Sequence, residues 1–132
     1  MSNLISELKK QHVGINSLLS CVYDCISTNE KKIDFVLRLK HLMTEHIEKE
    51  KNELYPFLIK EAETDNSLKF KLETYSNEMN EIENFLNYYN EKYGNGNFDG
   101  KFTSDTAHLI SILKQRILKE ELSIFSEYEK RI

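Results

Sequence analysis

His46 and Glu50 lie four residues apart in a helical stripe that also carries Phe35, Leu39, Leu42, Met43, Glu53 and Phe57. On one helix that spacing points an imidazole and a carboxylate at the same place. Ionisable groups aimed into a core are costly unless they are paired, hydrogen-bonded or bound to a cation. Any fold of this chain must therefore supply partners at that level of the helix. A second copy of the stretch His46-Ile47-Glu48-Lys49-Glu50 follows seventy residues later as Arg116-Ile117-Leu118-Lys119-Glu120, with arginine where the first has histidine.

Ser27-Thr28-Asn29, the segment Ala62 to Ser67, and Gly94-Asn95-Gly96-Asn97-Phe98-Asp99-Gly100 are the clear breaker clusters, and they cut the chain into four helical pieces. The first stripe runs Ile5, Leu8, His12, Ile15, Leu19, Tyr23 and Ile26; the third runs Leu68, Leu72, Tyr75, Met79, Ile82, Leu86 and Tyr93. The fourth runs Leu109, Ile112, Leu113, Arg116, Glu120 and Ile124. Four long amphipathic helices with short connections favour an all-α, up-down-up-down antiparallel four-helix bundle. Pro56 removes a backbone donor in the second helix and predicts a kink or break there. The middle of the bundle receives His12, His46, Glu50, Glu53, Arg116 and Glu120 together. His41 and His108 fall off the stripe centres and read as surface or boundary side chains.

With 132 residues the chain reads as one domain spanning 1–132, able to bury a core without a disulfide or a structural metal. The net charge of -4 and the lack of a basic stripe argue against nucleic acid. The amino-terminal residues lack the apolar run of a signal peptide, and no stretch is long enough to span a membrane, so a cytoplasmic location is expected. Cys21 and Cys25 sit one helical turn apart, a poor geometry for a disulfide, and read as reduced thiols.

Gln11-His12-x-x-Ile15 in the first helix, His46-x-x-x-Glu50-x-x-x-Leu54-Tyr55-Pro56 in the second and the glutamate-rich echo in the fourth resemble hemerythrin-like (HHE cation-binding) domains over essentially the whole chain. That family holds a non-haem di-iron centre between four helices, through histidines and two bridging carboxylates. The resemblance implies His12 and His46 as ligands of one iron and Glu50 and Glu120 as the bridging carboxylates. Gln11-His12-Val13-Gly14-Ile15 echoes Glu78-Met79-Asn80-Glu81-Ile82, which puts Met79 at the third-helix histidine position and Arg116 at the fourth. A thioether is a poor donor to a hard ion, and a guanidinium has no lone pair to give. Half of the centre is therefore degenerate.

Three states remain open, in this order of preference. One metal is held by His12, His46, Glu50 and Glu120, with Arg116 hydrogen-bonding the carboxylates from outside; iron is expected, and zinc or manganese also suit such donors. Alternatively no metal is held, and Arg116 bridges Glu50 across the core as a counter-ion. Last, two metals are retained with help from Tyr75, Glu53 or waters.

No nucleophile-base pair or phosphate loop supports an enzyme reading. The resemblance implies instead a metal-binding protein for sensing oxygen, nitric oxide or redox state, or for handling iron. The competing class is a metal-free regulatory module that works through its surface with a protein partner. Monomer and dimer are equally compatible with the sequence.

Overall fold

A computed structural model describes residues 2–22 and 27–132. The stripe positions Tyr23 and Ile26, and Cys25, lie outside the described residues. Among the described residues, six α-helical segments make four rods: α1 (Asn3–Ser20), α2 (Asn29–Lys49) continuing into α3 (Tyr55–Ala62), α4 (Asn66–Tyr93), and α5 (Phe102–Lys119) continuing into α6 (Phe125–Arg131). Each rod packs on its sequence neighbour, and α1 also packs on α5, which closes the four-helix bundle. The expected all-α bundle is what forms.

Side-chain caps start three of the rods. Ser2 Oγ accepts from the Ile5 N–H at 3.1 Å, Thr28 Oγ1 from Lys31 at 3.1 Å and Asp65 Oδ1 from Leu68 at 3.1 Å, each satisfying a donor that has no partner inside the helix. Asp65 also accepts from Arg131 Nη2 at 2.7 Å, tying the end of the fourth rod to the start of the third. Asp65→Ala is expected to cost about 1 kcal/mol, most of it from the lost cap. Urea unfolding checks this, and a cost near zero would contradict it.

The second and fourth rods are joined by π-turns, Glu50–Leu54 and Glu120–Ile124, in which the amide of Tyr55 bonds to the Glu50 carbonyl and that of Phe125 to the Glu120 carbonyl. A π-turn adds residues to the turn, so the buried face advances by fours. His46, Glu50, Leu54, Leu58 and Ala62 are all buried. This corrects the expected stripe: Glu53 is exposed and bonded to Lys49 at 2.9 Å, and Phe57 is only half-buried. The expected kink or break at Pro56 takes the form of the π-turn that ends just before it. The rod widens before the proline, which then sits in the first turn of α3 where a missing N–H is tolerated. Glu120–Ile124 makes the same turn without a proline, so proline is not its cause.

The core is split in two by a polar layer. One apolar cluster, including Phe35, Leu39, Leu86, Tyr89 and Leu113, fills the end near the α4–α5 connection. The other, including Ile5, Leu8, Leu54, Leu58 and Phe125, fills the opposite end. His12, His46, Glu50 and Glu120, all buried, lie between them in sequence on the rods that carry them, and Arg116, also buried, lies among the last residues of the first cluster on the fourth rod. No helix among the described residues is long and apolar enough to cross a membrane.

Candidate metal centre

His12 comes from the middle of α1 and His46 from the last turn of α2. Their Nε2 atoms approach to 3.0 Å. Glu120, at the head of the second π-turn, places Oε1 at 3.2 Å from His12 Nε2 and 3.5 Å from His46 Nε2. The donor atoms of these three residues lie within 4.8 Å of one another, the one such group of potential ligands among the described residues. Glu50 borders it, with Oε2 at 3.4 Å from His46 Nε2.

The outward nitrogens are committed elsewhere. His12 Nδ1–H donates to Glu121 Oε2 at 3.1 Å, and His46 Nδ1–H donates to Gln11 Oε1 at 2.8 Å. With Nδ1 as the donor on each ring, both Nε2 lone pairs face the same point. His12 also stacks on Phe125, ring centres 5.2 Å apart, which fixes its plane. Two bare imidazole nitrogens at 3.0 Å repel unless a cation, either a proton or a metal, sits with them. Donors about 2.0–2.2 Å from an ion are separated from one another by roughly 3.0–3.5 Å, the range spanned by the three observed distances. The residues present therefore fit one cation.

Protons compete for the same place. Burial pulls the His46 imidazole down, but the Glu120 and Glu50 carboxylates outweigh it and bring the group up to about 9. Burial, together with the Glu120 charge, pushes the Glu50 carboxyl up to about 8. Burial would also raise Glu120, but hydrogen bonding with Glu50, His12 and His46 and the charge of Arg116 hold it well below the usual carboxylate range. Without metal at neutral pH, Glu50 carries a proton and Glu120 does not.

The residues do not fit a second cation. Arg116 fills that side: Nη1 donates to the Tyr75 carbonyl at 3.0 Å, Nη2 donates to the Tyr55 hydroxyl at 2.9 Å, and Nε lies 3.7 Å from Glu120 Oε2. The expected bridge from Arg116 to Glu50 does not form, because the guanidinium is held by the Tyr75 carbonyl of the third rod and the Tyr55 hydroxyl of the second. Tyr75 is not turned toward the centre either. Its hydroxyl donates to the Lys119 carbonyl at 3.0 Å, and its ring lies 4.8 Å from the guanidinium carbon, a cation-π contact. Met79, half-buried, stands near this side.

A family profile for the hemerythrin HHE cation binding domain matches residues 3–128. The chain belongs to the hemerythrin HHE cation-binding family. No curated protein and no solved structure matches it. Within this hemerythrin-family chain, four supporting residues emerge only from the structure: Gln11 and Glu121 orient the two histidines, Tyr55 anchors Arg116, and Phe125 braces His12. Gln11 and Glu121 are each next in sequence to a donor residue, which is the signal that could have revealed them. His41 pairs with Glu45 at 3.2 Å and His108 packs on Phe85, both exposed as expected.

Proposed function

We propose that this chain binds one metal ion per molecule through His12 Nε2, His46 Nε2 and Glu120, with Glu50 beside His46 as the fourth donor or as a hydrogen-bond partner to the set. The observation that carries the reading is the 3.0 Å approach of two Nε2 atoms whose Nδ1 groups are both already donating. Two nitrogens with carboxylates suit iron, and zinc or manganese also suit them. Iron is the expected ion, and sensing of oxygen, nitric oxide or redox state, or handling of iron, is the expected use. Bound there, iron would supply a one-electron redox couple and room for a small ligand. The chain itself fixes both imidazoles, offsets the surplus negative charge with Arg116 and excludes bulk water with the two apolar clusters.

A second reading, a metal-free bundle acting as a regulatory module, is favoured by one observation. Arg116 already places a fixed positive charge on the far side of Glu120. Elemental analysis combined with an iron titration separates the two: uptake of one ion supports the first, and no uptake of iron, zinc or manganese supports the second.

Proton competition gives a further expected result. His46 and Glu50 are both raised, from 6.5 to about 9 and from 4.5 to about 8, so folded metal-free protein holds more protons than the unfolded chain above about pH 5. The contribution of His46 is fully present below 6.5 and is lost as pH rises through about 9; that of Glu50 is lost from 4.5 through about 8. The Tm of metal-free protein should therefore fall between pH 6 and pH 9. Metal must displace these protons, so apparent affinity should rise roughly tenfold to a hundredfold per pH unit near neutrality, with one to two protons released per ion. Titration calorimetry in buffers of different ionisation enthalpy measures the release, and an affinity flat across this range would contradict the assignment.

A further inference from the structure

The two imidazoles of the centre differ in what holds their outer nitrogens. His46 Nδ1–H donates to the amide oxygen of Gln11 at 2.8 Å, whereas His12 Nδ1–H donates to the carboxylate of Glu121 at 3.1 Å. One partner is neutral and the other carries a negative charge. Either kind of acceptor orients a ring, so orientation alone does not call for the difference.

The fourth rod supplies that charge through two consecutive glutamates that reach opposite nitrogens of one ring. Glu120 Oε1 lies 3.2 Å from His12 Nε2, and Glu121 Oε2 lies 3.1 Å from His12 Nδ1. The π-turn Glu120–Ile124 opens on this pair, and Phe125, directly after it, stacks on the same ring. The echo in the second rod has no such second carboxylate. There Glu50 is followed by Lys51, whose Nζ turns outward to Glu83 at 2.8 Å. The side chain of Glu121 is 35% exposed, against 1% for His12 and 2% for Glu120, so it is the partly solvated end of a buried chain of contacts.

A carboxylate on the outer N–H makes the inner nitrogen a stronger electron-pair donor. It also sets a negative charge one imidazole away from the donor trio. The attraction of an ion to a fixed charge grows with the ion's own charge, so a trivalent ion gains more from Glu121 than a divalent one. The amide of Gln11 offers a weaker form of the first effect and no net charge for the second. Arg116 acts in the opposite sense. Its Nε stands 3.7 Å from Glu120 Oε2, a fixed positive charge that disfavours the more highly charged ion, and Glu121 opposes it from the His12 side.

We propose that Glu121 sets the valence preference of the centre, favouring the ferric over the ferrous ion through His12. This rests on the one-metal reading and deepens it. Glu121 is a positioning residue, because it acts through the outer nitrogen of His12 and not as a donor to the ion. One charge at that remove, partly screened by solvent, changes the ferric-to-ferrous affinity ratio by about tenfold. For a one-electron couple that is about 59 mV.

Spectroelectrochemical titration of iron-loaded protein, with the iron content of every sample measured, tests the proposal. Glu121→Gln keeps an oxygen acceptor of the same reach and removes only the charge, so its midpoint potential should rise by about 59 mV. Gln11→Glu, which gives His46 a carboxylate as well, should lower the potential. Zinc affinity in Glu121→Gln, read by competition with a chromophoric chelator, should follow the ferrous and not the ferric affinity. Loss of ferric binding with ferrous binding retained would be the same result in a stronger form. A potential in Glu121→Gln equal to or below that of the wild type, or an equal loss of both valences, would overturn the role of Glu121 while iron in the wild type still upheld the metal assignment. Failure of the wild type to take up iron would overturn both, and the iron content tells the two failures apart. Circular dichroism checks that the variants fold; if Gln11→Glu does not, Glu121→Gln alone decides.

Discussion

His46→Ala is expected to take the protein from one bound metal per chain to none at micromolar metal, with affinity down on the order of a thousandfold or more. Loss of a residue that merely orients a ligand costs roughly 10- to 100-fold, and His46 is proposed as a ligand itself. It makes a short contact with each other member of the centre: 3.0 Å to His12, 3.4 Å to Glu50 and 3.5 Å to Glu120. Gln11→Ala removes only the acceptor at His46 Nδ1 and should fall in the milder range, through loss of ring orientation. The two apolar clusters do not include His46, so metal-free His46→Ala should still fold. Metal binding by equilibrium dialysis and folding by circular dichroism report these effects separately. Retention of wild-type affinity in His46→Ala would remove the basis of the assignment.

Arg116→Met should produce the largest loss of stability, about 3 kcal/mol in the metal-free protein, or a fall in Tm on the order of 10 °C. The substitution keeps most of the volume but removes the charge from beside a carboxylate that is 1% exposed and held ionised. It also removes the donor to the Tyr55 hydroxyl and the second donor to the Tyr75 carbonyl. A bound cation would neutralise the same carboxylates, so the loss should be clearly smaller in metal-loaded protein. Arg116→Lys should recover little, because one ammonium cannot reproduce the fork that reaches both partners. A cost under about 1 kcal/mol for Arg116→Met would show that the charge is not needed.

The bundle was legible in the sequence because the breaker clusters and the apolar stripes agreed. Within two of those clusters the structure shows the reason for the restart: Thr28 and Asp65 cap the rods that follow. The pair His46 and Glu50, and the echo carrying Glu120, were legible because an α-helical spacing of four holds up to the carboxylate. Beyond it the reading failed for a definite reason. Each π-turn begins at the glutamate, and a stripe drawn at α-helical pitch then drifts off the true buried face. That is why Glu53 was placed inward while Leu54 and Leu58 are the buried residues. The partners of Arg116 were hidden for another reason: its reach to the Tyr75 carbonyl and the Tyr55 hydroxyl depends on which rods are adjacent and at what height.

The loss of half a centre can be tested by restoring it. Met79→His with Arg116→His replaces the two departures with nitrogen donors and should raise the metal stoichiometry above that of the wild type, provided the added histidines reach the carboxylates. The central claim is simpler, that this bundle is built for one cation of the metal class. Its most direct measurement is the metal-to-protein ratio by elemental analysis after anaerobic iron loading and removal of loosely bound ion. One ion per chain in the wild type, and none in His46→Ala, is the predicted result; two ions per chain, or no uptake of iron, zinc or manganese, would contradict it.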